Sequence, residues 1–220
     1  MKIPLLVLCV LLSALNLCAE NTETVLARMD EASLTFKSVS ANVRMTVYTK
    51  VIDEKDVQTG TLQMQRPNGK GTRALLKLSG GNDDHVVFLI DNIVRVYTPK
   101  LKIIQDYDVG KSSDLLSQFL LLGFGSSGKE LLQSYDVNNA GTENISGQET
   151  THLVLLPKSP KVKEKLGKVE MWIPVGESYP CQQQFFEPNG NYRITLYSDV
   201  EINHIKGTLD YKPPAGTKKQ

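Results

Sequence analysis

Cysteine is nearly missing from the body of this chain. Three occur in 220 residues, and Cys9 and Cys18 both fall within the first twenty. Only Cys181 remains beyond them, so an internal disulfide is excluded there and the fold must rest on a packed core. Long hydrophobic runs are also scarce. Past Ala19 no stretch approaches the roughly 20 apolar residues that a spanning helix needs. Aromatics make up 7% of the chain, with Trp172 the one tryptophan. Charge of one sign is lacking as well. The formal net charge is +1, and it falls to zero without the first 19 residues, which carry Lys2 and no acid. A balanced chain has no basic footprint for nucleic acid, and that function class is set aside.

The one apolar run that does exist sits at the start. Lys2 supplies a short basic region, Ile3 to Leu17 is almost wholly apolar, and Leu17-Cys18-Ala19 offers a cleavage site. This is the pattern of an export signal of residues 1–19, too short for a comfortable span. A lipidated Cys18 is the rival reading, but it wants a small residue directly before the cysteine, and Leu17 is large. Soluble export to the periplasm is therefore preferred over a lipid-anchored form. Residues 20–220 are read as a single domain.

Two periodicities organise that domain. Residues 22–37 follow a helical spacing through Leu26, Met29, Ser33 and Phe36, with Asn21 or Thr22 as cap. The period then drops to two. Val43, Met45 and Val47 alternate with polar neighbours, as do Leu62 and Met64, which marks strands with one dry face. Pro67-Asn68-Gly69 and Pro188-Asn189-Gly190 are turn signals, and residues 86–98 read as a tight hairpin. Further strands are expected at 101–107, 151–156, 168–173, 181–186, 192–199 and 207–211. Between them, residues 112–135 break the pattern. Ser112 or Ser113 caps a leucine-rich helix ended by Gly123, and Ser127 caps a second, shorter one. The first is apolar over most of its circumference, whereas a surface helix needs only one stripe. It must lie deep in a core or cover an apolar opening.

Candidate chemistry is thin. Gly123 to Glu130 matches G-x-G-x-x-G and a phosphate loop up to its last position, where Ser or Thr should hold Mg²⁺ and Glu130 stands instead. The segment also follows a helix rather than a strand, so a helix–loop–helix turn is the better reading. His85, His152 and His204 share no metal-ligand spacing. Asp83-Asp84 lacks the further spaced oxygens of a calcium site. No nucleophile elbow occurs, and Cys181 has no local base signature. Asn144-Ile145-Ser146 is a formal glycosylation sequon. No enzyme and no cofactor are expected. What remains is an apolar sheet face with a leucine-rich cover, which suits either an ordinary core or a pocket.

The order of short motifs along the mature chain resembles that of the LolA family of periplasmic outer-membrane lipoprotein carriers. An N-terminal helix leads into strands. One strand ends in Gln63-Met64-Gln65-Arg66-Pro67-Asn68, and a hairpin carries Val94-Arg95-Val96-Tyr97-Thr98-Pro99. The two-helix insert follows, then Leu155-Leu156-Pro157-Lys158, and last Leu209-Asp210-Tyr211-Lys212-Pro213-Pro214-Ala215-Gly216. The stretch Gly69 to Arg73 is more polar than is usual in the family. The resemblance implies a mainly β (α+β) fold: an unclosed antiparallel β-barrel with a helical lid over an apolar cavity. It implies a monomeric carrier that takes acyl chains of lipoprotein cargo from an inner-membrane transporter to an outer-membrane receptor. A lipid-anchored receptor or a lipoprotein-sensing regulator of the same fold is the alternative. Arg66 matches the arginine that bonds the backbone of the lid and holds it shut. The expected cavity lining is Met45, Val47, Leu62, Met64, Val87, Leu89, Leu116, Phe119, Leu120, Trp172, Phe185, Ile194 and Leu196. The alternation fixes one face per strand without saying which face looks inward.

Overall fold

The computed structural model describes residues 20–66, 71–81, 84–90, 93–108 and 122–220. The export signal, residues 112–121 of the expected leucine-rich helix and the Pro67-Asn68-Gly69 turn lie outside the described residues.

The chain opens with helix α1 (Thr22–Thr35). Its N-cap is Asn21, whose side-chain oxygen accepts from the amide of Glu23 at 3.0 Å, meeting one of the amides a helix start leaves unpaired. Strands follow as β1 (Ser38–Thr49), β2 (Glu54–Gln65), β3 (Arg73–Ser79), β4 (His85–Ile90), β5 (Ile93–Thr98) and β6 (Ile103–Asp108). A short helix α2 (Gly128–Ser134) leads into β7 (Tyr135–Ile145) and β8 (Gln148–Pro157). A one-turn helix α3 (Pro160–Lys163) precedes β9 (Lys168–Pro174), β10 (Gln182–Phe186), β11 (Tyr192–Ile202) and the two-residue β12 (Lys218–Lys219). All pair in one sheet of order β12-β6-β5-β4-β3-β2-β1-β11-β10-β9-β8-β7. Pairing is antiparallel throughout, except that β12 runs parallel to β6. β7 and β12 end the sheet without meeting, so it is an unclosed half-barrel with helices on one face.

Register decides which side chains share a face, because directly opposed residues point the same way. Val43, Met45 and Val47 of β1 oppose Tyr197, Thr195 and Arg193 of β11. Arg193 in turn opposes Phe185, which opposes Val169. This inner face continues through Leu153 and Leu155 of β8. Over β7–β10 it is covered by Val25, Leu26 and Met29 of α1 and Leu131 of α2, all buried in one cluster. Close approach of the two helices requires Gly128, since a Cβ there would lie 2.5 Å from the carbonyl oxygen of Leu26.

Two sequence expectations need correction. Residues 207–211 form no strand. Leu209 and Tyr211 are apolar because they pack on the outer face against Leu75 and Phe88. Arg73 holds the segment through the carbonyl oxygen of Leu209 at 3.1 Å. Conversely, β7 is a strand that the pattern did not announce. It is an edge strand with a bulge between Asn139 and Gly141, and its wet exposure lets Asp136 to Asn144 be mostly polar.

Candidate functional site

The inner face divides in two. Over β7–β10 it is filled. Over β1–β5 its apolar side chains are less completely covered: Val43, Leu62, Met64, Ala74, Leu78 and Leu89 are buried, while Met45, Leu76 and Val94 are half-buried. At the junction of the halves lies a cavity of about 100 Å³. Val43, Met45, Leu62, Leu76, Leu78 and Phe185 form its apolar wall, and Gln183, Thr195, Tyr197 and Arg193 its polar one. That is smaller than the roughly 300–1,000 Å³ of a site for a drug-sized ligand.

Of the residues expected at a cavity, Met45, Leu62 and Phe185 line this one. Val47, Met64, Val87 and Leu89 stand on the same face by register. Leu116, Phe119 and Leu120 lie outside the described residues. Trp172, Ile194 and Leu196 do not belong with them. Trp172 opposes Gln182, which opposes Leu196, and Ile194 opposes Gln184; all stand on the outer face. The parity of β9 and β11 misleads because an apolar residue also occupies their outward phase. Trp172 is covered there by His152, stacked at 4.4 Å between centroids, and its indole N–H donates to Glu143 at 3.0 Å. The inward phase of β11 carries Arg193, Thr195 and Tyr197, which a search for hydrophobes passes over.

A turn of residues 122–127 closes one end of this face. Phe124 is buried against Tyr197, edge to face at 4.9 Å. Two hydrogen bonds reach the backbone around it, and a third holds one of their donors. The Gln183 amide donates to the carbonyl oxygen of Leu122 at 2.8 Å, while the Tyr197 hydroxyl donates to the Gln183 carbonyl at 2.7 Å. Burial raises the pKa of the Tyr197 hydroxyl to about 12. Arg66 donates to the carbonyl oxygen of Gly125 at 3.2 Å, with its guanidinium 5.7 Å from the centre of the Phe36 ring. Gly125 takes a positive φ of 72°, and a Cβ there would collide with Phe36. Glycine is required on both counts.

The glycine motif therefore belongs to a turn and a helix start. Ser127 and Glu130 form a reciprocal capping box on α2: the Ser127 hydroxyl accepts from Glu130 N at 3.1 Å and the Glu130 carboxylate from Ser127 N at 2.8 Å. Cys181 is buried and its thiol is pushed up by that burial, the opposite of a reactive thiolate. Gln183 and Tyr197, the inner groups that tie down the turn, left no motif in the sequence. Only the period-two parity of β10 and β11, anchored on Phe185, points to them.

No protein-family model and no curated protein matches this chain. Solved structures do. An uncharacterized conserved protein from Thermus thermophilus shares 9% identity over 91% of this chain and 99% of its own, with a TM-score of 0.56. At that identity the likeness is one of fold. MucB is 13% identical with a TM-score of 0.49, and the alignment covers 83% of this chain but only 58% of MucB. A LolA superfamily protein from Nitrosomonas europaea is 12% identical over 85% of this chain and 96% of its own, with a TM-score of 0.37. Among the described residues, no helix is long and apolar enough to cross a membrane.

Proposed function

We propose that this chain is an exported carrier that holds acyl chains of lipid-modified proteins against the open half of its inner face. The observation that carries this reading is the half-buried apolar surface of Met45 and Leu76 at the cavity and of Val94 on the same face, on a sheet whose other half is closely packed. An ordinary core would be covered on both halves. The motif order shared with lipoprotein carriers gives independent support.

The energetics suit such a role. Burying a methylene is worth about 0.8 kcal/mol, so a chain of sixteen carbons gains roughly 10 kcal/mol gross. The empty cavity of about 100 Å³ accepts only part of such a chain. Admitting the rest requires the cover to move, and the bond from Arg66 to Gly125 opposes that movement. A latch that favours the closed empty state lowers net affinity and makes release possible. Arg66 is the latch in this reading, and an inner-membrane transporter and an outer-membrane receptor are the expected partners.

The test is native mass spectrometry of the protein produced with its leader in a host that makes acylated lipoproteins, purified without detergent. Adducts of acylated mass are expected. A protein that carries none, and takes up no triacylated lipopeptide when offered it, does not serve this function. For the latch, Arg66→Leu should change cargo uptake or release; unaltered uptake and release remove Arg66 from the mechanism.

A further inference from the structure

One wall residue of the cavity has no place in a purely oily site. Arg193 opposes Val47 on β1 and Phe185 on β10, so its side chain rises from the inner face at the junction of the two halves. Its guanidinium lies over the Phe185 ring at 5.0 Å from the centroid. It borders the cavity beside Met45 and Leu62. The residue is exposed to solvent, as expected of a group at the mouth of an open hollow. No carboxylate forms an ion pair with it among the described residues; Glu187 acts only through space. Asp56 also stands on this face, opposite Val47 on its far side, and its carboxylate is turned to the backbone at Gly81. Glu54 lies at the exposed start of β2. The polar neighbours Gln183 and Tyr197 are already bonded to each other.

An exposed guanidinium on the wall of an apolar hollow, with no ion pair among the described residues, can take an anion at the edge of the oily surface. The guanidinium fork matches carboxylate and phosphate oxygens in a bidentate way. We propose that Arg193 is a head-group site: it takes the anionic end, carboxylate or phosphate, of a single-chain amphiphile whose tail lies against Met45, Leu62 and Leu76. This rests on the reading above that the face holds acyl chains, and it narrows the cargo to acyl chains that end in an anion.

The test uses the delipidated full chain and three probes with the same sixteen-carbon acyl group, all below their micelle concentrations. They are hexadecanoate, palmitoyl lysophosphatidic acid and neutral monopalmitoylglycerol, titrated calorimetrically. At least one anionic probe should bind about tenfold more tightly than the neutral one; the tighter of the two identifies carboxylate or phosphate as the preferred end. Arg193→Met should erase that preference, so that the anionic and neutral probes then bind within about twofold of one another. Arg193→Lys should keep part of it, because the charge remains and the fork is lost. Two results overturn the head-group site and leave the acyl site standing: a parent protein that binds the neutral probe as tightly as both anions, or a preference that survives in Arg193→Met. Failure of all three probes to bind overturns both. Because the preference is measured first in the parent protein, the outcome does not depend on how well a variant folds.

Discussion

The two halves of the inner face are made by the same device and end in different states. Both alternate wet and dry along every strand. Over β7–β10 the dry side chains Leu153, Leu155, Val169, Met171 and Ile173 are wholly buried, because α1 and α2 lie on them. Over β1–β5, equally apolar strands leave Met45 and Leu76 half-buried at a cavity and Val94 half-buried on the same face. Among the described residues, the difference lies in what packs on each half. A packed half supplies rigidity and stability. An incompletely covered half keeps apolar surface in reserve, which costs stability and offers a place for a ligand.

The sharpest way to break this comparison is to truncate one residue in each half. Leu153→Ala leaves a void in a filled core and should cost about 3 kcal/mol. Met45→Ala enlarges a hollow that already exists, next to solvent, and should cost about 1 kcal/mol. Urea denaturation of the two variants measures both. Equal losses would mean that the halves are packed alike. The Met45 variant should also change acyl-probe affinity, and the Leu153 variant should not.

Next in size is the turn that joins the halves. Gln183→Leu removes the partner of two buried groups at once, the Leu122 carbonyl and the Tyr197 hydroxyl. Leaving them unsatisfied should cost about 2 kcal/mol. Arg66→Leu removes one longer, partly solvated bond and should cost about 1 kcal/mol. If Gln183 proves the weaker of the two, the turn is held from Arg66 and the tie across β10 is incidental. Smaller again is Ser127→Ala, which deletes half of the capping box on α2 and should lower stability by about 1 kcal/mol or less, read as a small drop in the urea midpoint.

Much of the fold was legible in the sequence because period two survives wherever one face is dry. The strands around Met45, Leu62 and Val87, the hairpin at 86–98 and the capped α1 and α2 follow from local patterns alone. β7 was not legible, since an edge strand in water needs no apolar phase. Residues 207–211 misled in the opposite sense: Leu209 and Tyr211 pack as a strap on the outer face, and burial there mimics a strand. The site was legible in part. Alternation places Met45 and Leu62 together, but it cannot identify the inward phase where both phases hold apolar residues, as with Trp172 on β9. On β11 the inward phase is the more polar one. Arg193 faces the hollow for the same geometric reason that Val47 does, and no hydrophobicity pattern selects it.

The smallest effect concerns the sheet edges, and it distinguishes the halves by chemistry. The filled half ends at β7, beside α2 and buried Tyr135. The open half ends at β6 and the two-residue β12 beside it, where Asp106 accepts from Arg95 at 2.7 Å and pairs with Lys219 of β12 at 3.0 Å. Hydrogen bonds from Arg95 and Lys219 hold the Asp106 carboxyl well below the usual carboxylate range. Such a depressed group contributes its stability in full above its unfolded value of about 4, and loses it as the pH falls below that toward the folded value. Asp106→Asn should therefore cost under about 1 kcal/mol at pH 7, since Lys219 is largely exposed and water screens the pair. That cost should shrink as the pH falls from 4 to 3. Amide exchange should show β5 and β6 losing protection in acid before β8 and β9 do. Parallel loss at both edges would show that ions do not fasten the open half, and the two halves would then differ in packing alone.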